Sequence, residues 1–159
     1  MFVDTQTELS DAQAVTATAI STNVIDLQAA LGGSTNIANG NTLLDIGQGE
    51  DVYLVVTTQT AITDTGSDAT LTVTLESATD AGLTTGAVVH LATATLAFAT
   101  YSAAGSQILV AKLPIADYKR YLGVRYTVAA GPFLTGNIDA FITKDVQRAK
   151  IYKSAFTVQ

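Results

Sequence analysis

Alternation, rather than helical periodicity, organises this chain. Leu71, Val73 and Leu75 alternate with Thr70, Thr72, Thr74 and Glu76, the period-2 pattern of a strand with one buried and one polar face. Leu122, Val124, Tyr126 and Val128 repeat it, with Tyr121, Arg125 and Thr127 on the opposite face. Residues 52–56 form a continuous apolar run, as in a strand covered on both sides. Further strands are predicted at 88–91, at 107–113 (stopped by Pro114), at 137–143 and, early in the chain, around 22–27. Turn residues separate these runs: Gly47 and Gly49, the 64–68 segment, Gly82 and Gly86, Gly105, Gly131-Pro132 and Gly136. Short strands at regular spacing with Gly-rich turns predict an all-β, antiparallel jelly roll or β-sandwich rather than a βαβ fold.

The 159 residues make one domain, long enough to bury a sizeable core. The expected core spans about 12–145, with an N-terminal arm at about 1–11 and a C-terminal arm at about 146–159. Residues 32–41 read as a polar loop in which Asn39-Gly40 is a tight-turn pair. There is no internal repeat and no linker.

Hydrophobic residues make up 48% of the chain and charged residues only 14%, with a mean hydropathy of +0.32. Much of the apolar content is Ala, so the core uses modest side chains. From Ala81 to Ala111 there is no formally charged residue except a possible charge on His90. Thr, Ser, Gly and Gln interrupt this stretch too often for a membrane span of ~18 residues. Such low charge instead suggests a surface covered by other copies or by a partner.

Charge is segregated. All eight Lys and Arg residues lie after position 111, whereas eleven of the fourteen acids lie before it. This points to a role exercised through surfaces, unless strands from the two halves interleave and the split blurs in space. The net charge of −6 argues against a nucleic-acid binder, which needs a dominant basic field. Without Cys, disulfides and thiolate metal sites are excluded. The first eleven residues carry acids where a signal peptide needs a basic region and an apolar core.

Candidate chemistry is sparse. His90 is the lone histidine and sits in an apolar strand, so a structural role is expected in place of a triad or metal site. Neither a nucleophile elbow nor a phosphate loop occurs. The 64–68 segment, Asp-Thr-Gly-Ser-Asp, lacks the third oxygen ligand and distant Glu of a calcium loop and reads as an acidic turn. Aromatics are only 7% and Trp is absent, which leaves few platforms for sugar stacking. The expectation is a non-enzyme without cofactor or metal.

Several segments, in order, resemble the capsid cement (decoration) proteins of tailed bacteriophages of the Bordetella-phage type. They are Leu-Ser-Asp-Ala-Gln-Ala-Val at 9–15, Ser-Thr-Asn-Val-Ile-Asp-Leu at 21–27, and Asp-Ile-Gly-Gln-Gly-Glu at 45–50 running into Tyr-Leu-Val-Val at 53–56. Leu-Thr-Val-Thr-Leu at 71–75, Leu113-Pro114, Arg-Tyr-Leu-Gly-Val-Arg-Tyr-Thr-Val at 120–128 and Asp-Val-Gln at 145–147 follow, then the aromatic tail through Phe156. The chain departs from the family pattern around 31–42, where its loop is longer. The resemblance implies a jelly-roll protein on the outer surface of an HK97-type icosahedral capsid. There it would clamp neighbouring major capsid proteins against the pressure of packaged DNA. The implied partners are the major capsid protein and further copies of the chain, a dimer being favoured over a trimer on base rates, with no direct nucleic acid and no membrane. Its place would be the virion exterior, after synthesis in the host cytoplasm without a signal peptide.

The candidate contact residues are Phe2, Leu9, Arg120, Arg148, Lys150, Tyr152, Lys153 and Phe156. Most belong to ends that lie outside the strand pattern yet mix aromatics with cations, the residue types of interface hot spots. The competing readings are a carbohydrate-binding sandwich displayed on the virion, another virion part such as a fibre or head-completion subunit, and an enzyme with a concealed carboxylate pair.

Overall fold

The computed structural model describes residues 3–28, 46 and 49–146. A 3₁₀ turn, Thr5–Thr7, is capped by Asp4, whose carboxylate accepts the Gln6 N–H at 3.0 Å. Ten strands follow: β1 Glu8–Ala14, β2 Ala19–Ile20, β3 Ile25–Asp26, β4 Tyr53–Thr63, β5 Thr70–Ala78, β6 Val88–Ala92, β7 Leu96–Ala97, β8 Gln107–Lys112, β9 Tyr121–Ala129 and β10 Thr135–Thr143. A single helical turn, α1 Phe98–Tyr101, lies between β7 and β8.

All pairings are antiparallel. One sheet has the order β1-β10-β4-β8; the other runs β2-β9-β5-β6, with β3 also on β9 and β7 also on β5. The short pairs β2/β3 and β6/β7 each act as one interrupted strand. Counted so, there are eight strands in two four-stranded sheets, and the chain switches sheets at most connections. That is the jelly roll, an all-β sandwich as expected from the alternation.

Sequence pattern explains the layers. Leu54 and Val56 of β4 and Ile138, Ala140 and Ile142 of β10 face Leu71, Val73 and Leu75 of β5 and Leu122, Val124 and Tyr126 of β9, all buried in one core. The continuous run in β4 has the predicted cause. Val55 points out of the sandwich yet is fully buried in a second cluster with Phe141, flanked by Val110 and Val146. The sheet begins earlier than the expected core boundary, since β1 opens at Glu8. Within β1 the register shifts between Ser10 and Gln13, and Ala12 takes φ 45° with its N–H donated to Asp139 Oδ1 at 2.8 Å. This bulge bends an edge strand and makes it a poor template for pairing.

The two sheets are also tied by polar groups. The Ser10 hydroxyl of β1 lies 2.8 Å from the Tyr126 hydroxyl of β9 and donates to Gln13 Oε1 at 2.7 Å. Gln13 then donates to the Ile20 carbonyl and accepts from the Thr22 N–H. Tyr101 reaches the Ala69 carbonyl at 2.9 Å from α1, while its own carbonyl accepts the Thr58 hydroxyl at 2.6 Å. Burial, with a smaller effect of Asp64, pushes the Tyr101 phenol up to about 12.

Candidate interaction surfaces

Because β9 and β10 are inserted between early strands, the late cations lie beside early acids. Arg125 Nε donates to both oxygens of Glu76, at 3.1 and 2.9 Å, and its Nη2 donates to the Leu83 carbonyl at 2.8 Å. Arg120 grips Asp26, with Nη2 to Oδ2 at 2.8 Å, and its guanidinium lies 4.9 Å from the Tyr121 ring centre. Lys112 pairs with Asp51 at 2.5 Å and Lys144 with Glu50. The Lys119 ammonium donates to the Gly86 carbonyl. Every described cation therefore binds a group from the acidic half. The segregation in sequence is neutralised locally by topology, and Lys112, Lys119, Arg120 and Lys144 gather at one end of the sandwich.

The acidic turns are structural. Asp64 accepts the N–H groups of Asp68 and Ala69 at 3.2 Å each. Asp80 accepts the Thr85 N–H at 2.5 Å together with the N–H and hydroxyl of Thr84. The Thr85 donor, reinforced by Thr84, holds the Asp80 carboxyl down at about 2. Neither turn is part of a metal-binding group, and among the described residues no cluster of three potential ligands exists.

His90 lies on β6 with Nε2 2.7 Å from the Ser77 hydroxyl and its ring 4.4 Å from that of Tyr118. Ser77 is fully buried and also accepts the Lys119 N–H at 2.9 Å, so its oxygen is committed to the fold.

Two open clefts, about 570 and 430 Å³, flank the N-terminal turn; Ile46 lines both, and among the described residues no aromatic ring lines either. Among the described residues every Phe and Tyr is buried or half-buried, leaving no aromatic platform for a sugar.

The distinctive surface is the β6 edge. Val88 and Val89 are exposed there, Val89 at 53%, and Ile115 in the β8–β9 connection is 67% exposed. The other edges carry a bulge or a charge: β1 its bulge, β2/β3 the Arg120–Asp26 pair, and β8 Lys112. No Lys, Arg, Asp or Glu lies on β6 or β7, so these strands themselves carry no charged guard against another chain. It falls within the uncharged 81–111 stretch, the sequence signal that marks it.

Of the expected contact residues, Arg120 is exposed but held by Asp26, so it serves the fold first. Leu9 is a correction: as an inward residue of β1 it is fully buried in the core, and its side chain offers nothing to a partner. Phe2, Arg148, Lys150, Tyr152, Lys153 and Phe156 lie outside the described residues, as does the loop at 31–42.

No curated protein matches the chain. A family model does, over residues 9–142, from inside the first strand of the jelly roll to the last. That model is Bbp16.

Proposed function

The chain belongs to the Bbp16 family, a Bordetella phage protein family, and from that premise we propose that it is a virion protein that decorates the outer surface of an icosahedral capsid and clamps adjacent major capsid proteins. The observation that carries this reading is the coincidence of the family match with the whole jelly roll, strand β1 to strand β10. Among the described residues the cations are paired with groups of the chain itself and the β6 edge is apolar, which supports a mechanical role.

A clamp of this kind works by multivalency. Each footprint needs only modest affinity, because bridging a second capsid subunit becomes intramolecular once the first contact forms. Apolar contact supplies most of the attraction, while the basic C-terminal residues Arg148, Lys150 and Lys153 steer and register the encounter. Tyr152 and Phe156 are proposed as anchors, and self-association into a dimer supplies the paired footprints.

The test is co-sedimentation of purified protein with mature shells lacking it, immature shells serving as the control. Saturable binding near one copy per major capsid subunit, giving shells that better resist heat, supports the clamp. Absence of binding to either form removes it and favours a free-standing adhesin.

A further inference from the structure

The β8–β9 connection, residues 113–120, is a strap across one end of the sandwich. It starts with Leu113, buried, its N–H donated to the Val52 carbonyl at 2.9 Å. Tyr118 turns back to donate its hydroxyl to the Pro114 carbonyl at 2.5 Å, and Ile115 stands out at the crest. The far side is pinned at three points. The Tyr118 ring rests on the His90 imidazole, the Lys119 N–H donates to Ser77 Oγ at 2.9 Å, and the Lys119 ammonium reaches the Gly86 carbonyl.

Two of these pins converge on one hydrogen-bonded pair. Ser77 Oγ accepts from the Lys119 N–H, so its own proton is free to be donated to His90 Nε2, 2.7 Å away. This polarity requires an imidazole that is unprotonated at Nε2. A protonated ring would direct an N–H at the serine instead, stranding the serine proton in a buried place. It would also set a second positive charge beside Lys119.

We propose that His90 is a pH-sensitive latch: the 113–120 strap is closed on the neutral imidazole and released when the imidazole is protonated. The groups facing the ring are Tyr118 and Lys119 from the strap and the non-titrating Ser77 from β5, whose neighbour Glu76 is engaged by Arg125. His90 follows directly on Val88 and Val89, and Ile115 lies three residues from Tyr118, so release would remodel the apolar edge described above.

Burial, and next the Lys119 charge, hold the His90 pKa below its ordinary value of about 6.5. The sign follows from linkage. A released strap leaves His90 in water at the ordinary value, so closure is fully favoured above that pH. It is lost as pH falls from there through the depressed value, by up to about tenfold per pH unit.

Amide exchange by NMR on the full chain between pH 7 and pH 5, expressed as protection factors, tests the latch. The Lys119 amide should lose protection up to about tenfold per pH unit below about 6.5, and the dependence should vanish in His90→Gln. Protection that stays flat in the native chain, or an equal slope in His90→Gln, overturns the proposal. A side-chain titration of the native protein decides the matter even if that variant does not fold. The latch requires Nε2 unprotonated at neutral pH and a pKa below the ordinary value, and a pKa at or above that value refutes it.

Discussion

Arg125 and Lys144 each form an ion pair, yet their settings give opposite consequences. The Glu76 side chain is only 7% exposed and that of Arg125 28%, and the Thr74 hydroxyl adds a further hydrogen bond to Glu76. Arg125→Met leaves a buried carboxylate without its cation and the Leu83 carbonyl without its donor, which should cost about 2–3 kcal/mol in urea unfolding. Lys144→Met breaks a pair whose two side chains are mostly in water, and the same experiment should detect no change. Equal losses would contradict the burial argument. At Asp80 the expectation is a pH effect. Its folded pKa of about 2 lies below the ordinary 3.8, so its contribution is present above the ordinary value and lost as pH falls toward 2. The Thr85 amide shift, followed through an acid titration, should move with a midpoint near 2 and not near 4.

Among the elements, β10 is the spine of the first sheet, pairing with β1 on one side and β4 on the other. Gly136 near its start has φ +127°, and an added Cβ would sit 2.4 Å from Ile62 Cγ1 and 2.7 Å from Ile62 Cα. Backbone cannot step aside as a side-chain tip can, so Gly136→Ala should destabilise by about 2–4 kcal/mol, read from the thermal midpoint. Gly105, also at positive φ but with nothing within 4 Å of its would-be Cβ, is the control and should lose less. Tyr126→Phe removes the hydroxyl that joins β9 to Ser10 of β1, while Ser10 keeps Gln13; a loss of about 1–2 kcal/mol is expected. The long strands were legible because alternation reports burial directly, as in β5 and β9. β3 falls inside the strand expected around 22–27, but the two-residue strands β2 and β7 and the one-turn α1 were not legible. They are too short to show a period, and tertiary partners hold them, such as Tyr126 and Arg125 opposite Ala19 and Ile20.

Over the whole molecule, the charge segregation and its neutralisation have one cause. A jelly roll inserts its last strands between its first, so a cation on β8–β10 meets an acid from the N-terminal half as a spatial neighbour. Composition announced the asymmetry, but pairing depends on register, which no local pattern encodes. The candidate site was legible only as an absence of charge over 81–111; that this stretch forms an open edge required the topology. Leu9 shows the converse, since a terminal apolar residue reads alike as an anchor or as a core residue until its strand is paired. Two surfaces then compete as the proposed contact with a capsid shell, and a pair of variants separates them. Val89→Lys places a charge on the open edge, where a 53% exposed side chain contributes little to the core, so the melting temperature should hold. Deletion of 148–159 leaves β10 and Val146 in place and should also leave a folded domain. If the tail is the anchor, the deletion abolishes co-sedimentation with shells while Val89→Lys decorates them at native occupancy. If the edge is the anchor, those results exchange. A clamp that needs both contacts loses occupancy in each, and more steeply than in proportion, because removing either footprint removes the intramolecular advantage of the other. Native occupancy in both variants would eliminate the two surfaces together.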